Sequence, residues 1–233
     1  MQPYFFPYIG YWQLIHAADY LVLLDDVQYI RFGWINRNRI LKPGGGWQYI
    51  LAPIRKHSMS EPIKNIQAHP EKNWKNRIIA QLAHYKQKAR YFDETRELVK
   101  EALFGNSKQD IVAINYAIIE KLCAHLNIES KILVSSRQGF DYTNVNGAGE
   151  WALRIAEQMN AQEYINPISG TNLFDPEKFR SSGIKLSFLK SNEISYEQGS
   201  TFEPSLSIID VMMFNGQTGT QTLLDKYSIV AAL

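Results

Sequence analysis

The first 26 residues, MQPYFFPYIGYWQLIHAADYLVLLDD (residues 1–26), decide the expected fold. Residues 1–3 are predicted to form the end of a strand, and the turn PYFFPYIGY (residues 3–11), which begins at the last of them, contains two prolines and five aromatic residues. Residues 10–18 repeat apolar side chains at helical spacing, and residues 20–24 (YLVLL) form an apolar run that ends at two acids. The order strand, tight turn, helix, strand predicts a βαβ unit with a central parallel strand.

The rest of the chain extends this pattern. Residues 27–54 partly alternate and contain the reversal Pro43-Gly44-Gly45-Gly46, which predicts a β-hairpin. In residues 71–127 the apolar side chains recur at helical spacing, which predicts either a helical insertion or cap or helices that cover one side of the sheet. From residue 131 predicted strands and helices alternate again. The predicted fold is one α/β domain over residues 1–233, a mostly parallel, Rossmann-like sheet flanked by helices, with the hairpin and helical cap at its carboxyl edge. Residues 205–227 are predicted to form two short helices.

Composition narrows the possible partners. The 25 basic and 23 acidic residues give a net charge of +2, which provides little attraction to nucleic acid or membrane. The single cysteine excludes a disulfide within the chain, and no apolar run approaches 20 residues. We expect a cytoplasmic chain with no membrane span.

The opening turn lies where open α/β sheets bind ligands, beyond the carboxyl end of a strand and before a helix. Two prolines stiffen it, Gly10 permits close backbone approach, and tyrosines add flat faces and hydroxyls. We predict that it forms the floor of a ligand site through Tyr4, Pro7, Tyr8, Gly10 and Tyr11. The alternative is an aromatic plug that covers the core.

Asp25 and Asp26 follow the second strand directly and are expected at the same rim. Because neighbouring strand residues point to opposite faces, only one is expected to face a cleft. A carboxylate there could bind sugar hydroxyls, hold a metal with water, or act as a base. The alternative is a hydrogen-bonded strand end.

The stretch RFGWINRNRI (residues 31–40) is the densest polar segment. On an extended strand, Arg37 and Arg39 share one face while Asn36 and Asn38 share the other. Guanidinium groups suit phosphate and asparagines suit hydroxyls, so with Trp34 the pattern predicts a nucleotide-sugar or another phosphate-bearing small molecule. A solvated hairpin face or single-stranded nucleic acid would give a similar pattern, although the near-neutral charge disfavours nucleic acid.

Later loops are expected to close the site. NPISGTN (residues 166–172) brings Ser169 and Gly170 to the rim, and SSR (residues 135–137) follows another strand. Asp210 is an acid on an apolar helix, and we expect it or Glu203 to orient the hairpin. The histidines lack metal-ligand spacing, so no metal site is predicted, and no particular cofactor is indicated.

Three segments, MQPYFFPYIGYWQLI, LLDDVQYIRFGWINRNRI and FEPSLSIIDVMMFNG, resemble the WbqC-like protein family nearly end to end. The family occurs among bacterial genes for O-antigen and other surface polysaccharides. The resemblance implies a role in making them and draws attention to motif positions that include Gln28 as well as residues named above.

We therefore expect a cytoplasmic protein that acts on a nucleotide-activated sugar, as a transferase of acyl or aminoacyl groups with Asp25 or Asp26 as the base. The alternative interpretation is a non-catalytic nucleotide-sugar-binding protein or an assembly partner of glycosyltransferases. The sequence contains no recognisable nucleophile–base pair, so both interpretations stay open.

Overall fold

The computed structural model describes residues 1–70, 73–199 and 201–232. Its helices are α1 (Ile9–His16), α2 (Trp74–Gln81), α3 (Phe92–Phe104), α4 (Ile111–His125), α5 (Glu150–Gln158), α6 (Pro176–Ser181) and α7 (Ile208–Leu224). Its strands are β1 (Tyr20–Leu23), β2 (Arg37–Leu41), β3 (Trp47–Leu51), β4 (Lys131–Val134), β5 (Glu163–Pro167), β6 (Lys185–Ser191) and β7 (Tyr227–Ala231). The architecture is mixed α/β.

The strands form three small sheets in place of one mostly parallel sheet. β1 pairs with β4 in parallel, β2 with β3 antiparallel, and β6 lies between parallel β5 and antiparallel β7. A mostly parallel, Rossmann-like sheet is therefore not confirmed. Segments outside any strand bond the free edge of β2, since the Leu41 N–H donates to the Tyr85 hydroxyl at 2.9 Å and the Arg39 carbonyl accepts from the Ser207 N–H at 2.8 Å.

The opening βαβ prediction is confirmed in its helix and second strand. No strand is assigned to residues 1–3, yet the Leu24 N–H donates to the Met1 carbonyl at 2.7 Å and the Met1 nitrogen donates to Val22 at 2.9 Å. The chain start thus runs beside β1 with a parallel bonding pattern.

Residues 73–127 contain the helices α2, α3 and α4, as the apolar spacing predicted, and residues 71–72 of the predicted span lie outside the described residues. The interpretation of this block as an insertion or cap stays a prediction. The predicted pair of closing helices appears as α7, which is interrupted at Gly216 with φ 64° and ψ −168°. Gly216 tolerates this conformation because it has no side chain.

Two apolar clusters form the interior. The larger contains the opening turn, the hairpin and α1 to α4 together with α7. The smaller lies between α5, α6 and β6, around Leu153, Phe179 and Phe188. The segments with the most distinctive sequence therefore share the larger core.

Candidate functional site

Hydrogen bonds join the opening turn to β2 and to the start of α7. The Asn38 side-chain amide donates to the carbonyls of Phe5 at 3.0 Å and Phe6 at 2.8 Å. The Ser207 hydroxyl also donates to Phe6 at 2.8 Å, and the Ile208 N–H donates to Pro7 at 2.8 Å. Three segments distant in sequence thus meet at one junction.

Packed side chains fill the interior of this junction. Phe5, Phe6 and Tyr11 are fully buried, and the Tyr11 hydroxyl donates to the Gln2 carbonyl at 2.9 Å. Gly10 is approached by a neighbouring ring, because a Cβ built there would lie 2.6 Å from Tyr8. The turn therefore has the character of the aromatic plug, with Pro7, Gly10 and Tyr11 in the core.

Tyr4 and Tyr8 are the half-buried members of the turn and are the two that reach the surface. Burial raises the pKa of both hydroxyls above the ordinary value of 10.0. Both groups are therefore neutral hydrogen-bond donors at physiological pH.

The asparagines of β2 point inward and use their polar atoms within the protein. Asn36 accepts from the Tyr29 hydroxyl at 2.8 Å and donates to the Ala52 carbonyl at 3.0 Å. Asn38 holds the opening turn as described above, and its oxygen accepts from the Arg39 N–H at 2.8 Å. The alternation predicted for this strand is present, with the asparagines on its buried side.

The arginines occupy the outer side of the hairpin, where aromatic rings surround them. We call this surface the hairpin face and define it by the residues Trp34, Arg37, Arg39, Trp47 and Tyr49. The Arg37 guanidinium carbon lies 4.3 Å from the Tyr49 ring centre, and that of Arg39 lies 5.4 and 5.2 Å from the rings of Trp34 and Trp47. Such stacking fixes the guanidinium planes while leaving their edges available.

The two arginines differ in how many donors are free. Arg37 donates to the backbone carbonyls of Gly33 at 3.2 Å and Phe32, so part of its fork holds the loop before β2. Arg39 makes one weak bond, to the Ser205 carbonyl at 3.3 Å, and its buried Nε has no partner among the described residues. Neither arginine forms an ion pair with a described carboxylate. Arg39 therefore offers more free donors for an anion.

The aspartates form a second group at the carboxyl ends of β1 and β4. We call it the acid cluster and define it by the residues Asp25, Asp26, Lys64, Ser135 and Ser136. Buried Asp25 accepts from the Ser136 N–H at 2.9 Å and the Ser136 hydroxyl at 2.7 Å. The Ser135 hydroxyl lies within hydrogen-bond distance of both aspartates, at 2.8 and 2.7 Å. The prediction that the SSR loop reaches the rim of the aspartates is confirmed.

Two members of this neighbourhood were not predicted from the sequence. The Lys64 ammonium donates to Asp26 at 2.9 Å, and this bond raises the pKa of Lys64. Tyr142 has a buried hydroxyl near Ser135 and Asp26, and desolvation raises its pKa to about 12. Asp26 thus has a cation on one side and neutral hydroxyls on the other.

The remaining predicted residues lie in other places. Exposed Gln28 donates to the Met59 carbonyl at 2.7 Å. Ser169 and Gly170 lie in the 3-10 helix Ile168–Leu173 after β5, beside the smaller core. Among the described residues, no hydrogen bond, ion pair or ring contact joins the acid cluster to the hairpin face.

Two surface cavities lie over the helical block, of about 550 and 390 Å³, and none of the predicted site residues lines either one. In the larger, Lys100 pairs with Glu97 and Lys121 with Glu101. In the smaller, the Lys75 ammonium donates to the Asn106 carbonyl at 3.0 Å. Three of the four lysines that line these cavities therefore already have partners, Lys108 being the exception, so the hairpin face with its two arginines is the better candidate for binding an anion.

The described part of the chain holds no cluster of three or more His, Cys, Asp or Glu placed to bind a metal ion. None of its helices is both long enough and apolar enough to cross a membrane.

Comparisons with known proteins agree with the motif resemblance. The family model described as the WbqC-like protein family matches residues 2–222. An uncharacterized protein of Mycobacterium tuberculosis (strain ATCC 25618 / H37Rv) is 26% identical over 218 residues, which cover 92% of this chain and 91% of the relative. No solved structure shows significant similarity to the chain.

Proposed function

The chain belongs to the WbqC-like protein family, and we propose that it acts on a nucleotide-activated sugar in the assembly of bacterial surface polysaccharide. The hairpin face binds the nucleotide-sugar, and the acid cluster supplies the chemistry. The reaction is the transfer of an acyl or aminoacyl group in the cytoplasm.

The observation that supports this proposal best is the state of Arg39. Its guanidinium lies over two indole rings, lacks a carboxylate partner among the described residues and makes one weak hydrogen bond, to the Ser205 carbonyl. A forked cation in this state suits a diphosphate, which accepts paired N–H bonds. The half-exposed rings of Trp47 and Tyr49 beside it suit a flat base or a sugar face.

The acid cluster suits the proton transfer. A sugar amine or hydroxyl would attack the acyl carbonyl carbon, the bond from that carbon to its carrier would break, and an aspartate would accept the proton of the attacking group. The oxygens of Asp25 are occupied by Ser135 and Ser136, whereas Asp26 is held by Lys64 and one hydroxyl. We therefore propose that Asp26 accepts the proton and that Asp25 orients the SSR loop (residues 135–137).

One observation favours a second function, a non-catalytic nucleotide-sugar-binding protein that partners glycosyltransferases. The hairpin face and the acid cluster share no contact among the described residues, as noted above. A binding protein needs only the hairpin face.

Mass spectrometry separates the two functions. The protein would be incubated with a panel of nucleotide-sugars and acyl donors, and acylated sugar products would be sought. Turnover that falls at least about 100-fold in Asp26→Asn supports the enzyme, because removing a general base typically costs 10²–10⁴ in rate. Saturable binding without turnover supports the binding protein, and absence of both contradicts the proposal.

A further inference from the structure

Three strongly exposed large apolar side chains lie on two loops that are hydrogen-bonded to each other. Phe32 is 80% exposed, Met59 is 74% exposed and Ile30 is 58% exposed. We call these three residues the loop tips. Single exposed apolar residues are ordinary, whereas a group of them marks an interaction surface.

Contacts between the loops place the tips on one side of the molecule. The Tyr29 N–H donates to the Glu61 carbonyl at 2.9 Å, and the Gln28 amide donates to the Met59 carbonyl at 2.7 Å. The rings of Tyr29 and His57 also meet edge to face, with 5.1 Å between their centres. The segment that leads to Ile30 therefore runs alongside the segment that carries Met59.

The backbone at Phe32 has an energetically unfavourable conformation. Phe32 has a φ of 64°, which bulky residues rarely adopt. Arg37 donates to the Phe32 and Gly33 carbonyls, and the Gly33 N–H donates to Ile30 at 3.3 Å, so the loop is held in this shape. The fold thus maintains an exposed phenyl ring at a cost in backbone strain.

Positive charge is concentrated in the same part of the chain. Residues 27–70 contain seven arginines and lysines and one glutamate, a charge of +6. The whole chain has a charge of +2, so the remaining residues carry −4. Arg31, Arg55 and Lys56 flank the loop tips in sequence and are exposed.

We infer that the loop tips dock on an anionic lipid membrane, a property independent of the proposed function. The apolar tips enter the boundary between headgroups and acyl chains, and the flanking cations meet lipid phosphates. Nucleic acid is the weaker fit, because Ile30 and Met59 have no flat face on which a base could stack.

The test is co-sedimentation with vesicles of equimolar phosphatidylcholine and phosphatidylglycerol, compared with phosphatidylcholine alone. We expect binding to the mixed vesicles that weakens with salt, and a loss of at least about tenfold in Ile30→Ser/Met59→Ser, which removes two of the three apolar tips. Arg31→Ala should lose about fivefold, the effect of one basic residue near a charged surface. Leu173→Ser is the matched control, because Leu173 is also 58% exposed but lies in the 3-10 helix after β5, and it should bind like the wild type.

Three results would overturn the inference. The first is no binding of the wild type to the mixed vesicles, and the second is an equal loss of vesicle binding in the paired variant and the control. The third is a wild-type dimer in light scattering that Ile30→Ser/Met59→Ser converts to a monomer. Tighter binding of a single-stranded oligonucleotide than of the mixed vesicles, lost in the same paired variant, would reassign the surface to nucleic acid. Nucleotide-sugar affinity of the paired variant should equal that of the wild type, so a failure here is distinguishable from a failure of the proposed function.

Discussion

Asn38 links the opening turn to the hairpin through two hydrogen bonds, and the almost isosteric substitution Asn38→Asp tests that role. The substitution keeps the oxygen that accepts from the Arg39 N–H and removes only the N–H groups that reach Phe5 and Phe6. The side chain is buried, so water cannot replace the lost donors. Any loss of stability therefore reports on the two donated bonds and the added charge.

The size of the effect follows from the partners that remain. The Phe5 carbonyl loses its one bonding partner among the described residues, at a cost of about 1–3 kcal/mol. The Phe6 carbonyl keeps the Ser207 hydroxyl and loses one of two bonds, about 1 kcal/mol. A buried carboxylate facing two carbonyls adds to this cost. We expect the free energy of unfolding to fall by about 4 kcal/mol or more at neutral pH, out of a typical total of about 5–15 kcal/mol.

The loss should depend on pH with a defined sign. Burial beside two acceptors favours the protonated carboxyl, which can donate to one carbonyl, so the pKa of the introduced group is raised in the folded state. The variant is therefore destabilised least below the ordinary aspartate pKa of about 3.9, and its free energy of unfolding falls by up to about 1.4 kcal/mol per pH unit as the pH rises through the raised pKa.

Urea unfolding followed by tryptophan fluorescence measures both effects, with exposed Asn144→Asp as the matched control. The control should stay within about 0.5 kcal/mol of the wild type. A cost in Asn38→Asp no larger than that of the control, or no recovery at low pH, would refute the role of Asn38 as this link.

Two further predictions concern groups packed inside the same core. Gly10→Ala should lower the free energy of unfolding by about 1 kcal/mol, because the overpacking cost of about 1–3 kcal/mol against the Tyr8 ring exceeds the helix-propensity gain of up to about 1 kcal/mol. The control Gly147→Ala should be neutral or slightly stabilising, because no atom lies within 4 Å of the added Cβ. If Gly10→Ala costs as much in a Tyr8→Ala background, the Tyr8 ring is not the cause of the loss. Burial raises the pKa of Asp210, which accepts bonds from two tyrosines and Gln198, so its contribution to stability is present below the ordinary pKa of 3.8 and is lost as the pH rises through the raised value. Urea unfolding at a series of pH values should therefore show a flatter pH dependence for Asp210→Asn than for the wild type, and identical slopes would disprove the assignment.

Local patterns predicted most helices and strands because each depends on spacing within a short segment. α1, β1 and the hairpin follow from apolar period and from the glycine-rich reversal. β7 was not predicted, because Tyr227–Ala231 is a short edge strand that pairs with β6 about forty residues earlier. The division of the strands into separate sheets likewise depends on tertiary contacts such as the bond from Leu41 to Tyr85.

The candidate site was predicted in part for the same reason. The meeting of Asp25 with Ser135 and Ser136 could be foreseen, since both segments follow parallel strands. Strand alternation separated the arginines from the asparagines but could not tell which face is buried. Lys64 lies in the short 3-10 helix Ile63–Asn65 and Tyr142 lies in a loop, and both are placed by the tertiary fold, so no local signal identified them.

Asn115 was also missed, although a signal existed. It is a polar residue in the apolar helix α4, is fully buried and donates to the carbonyls of Pro3 and Ile35 at 2.8 Å each. A buried polar side chain needs such partners. Whole-chain charge was misleading in a comparable way, because the +2 total conceals a segment of +6.

We propose that Arg39 on the hairpin face anchors the phosphates of a nucleotide-sugar, and isothermal titration calorimetry with uridine and thymidine diphosphosugars measures this role. Arg39→Lys keeps the charge but loses the planar fork, so we expect affinity to fall by about tenfold or more, while Arg31→Ala, which removes an exposed charge nearby, should change it by less than about threefold. Equal affinity of the wild type and Arg39→Lys, or equal losses in both variants, would show that Arg39 does not anchor the phosphates.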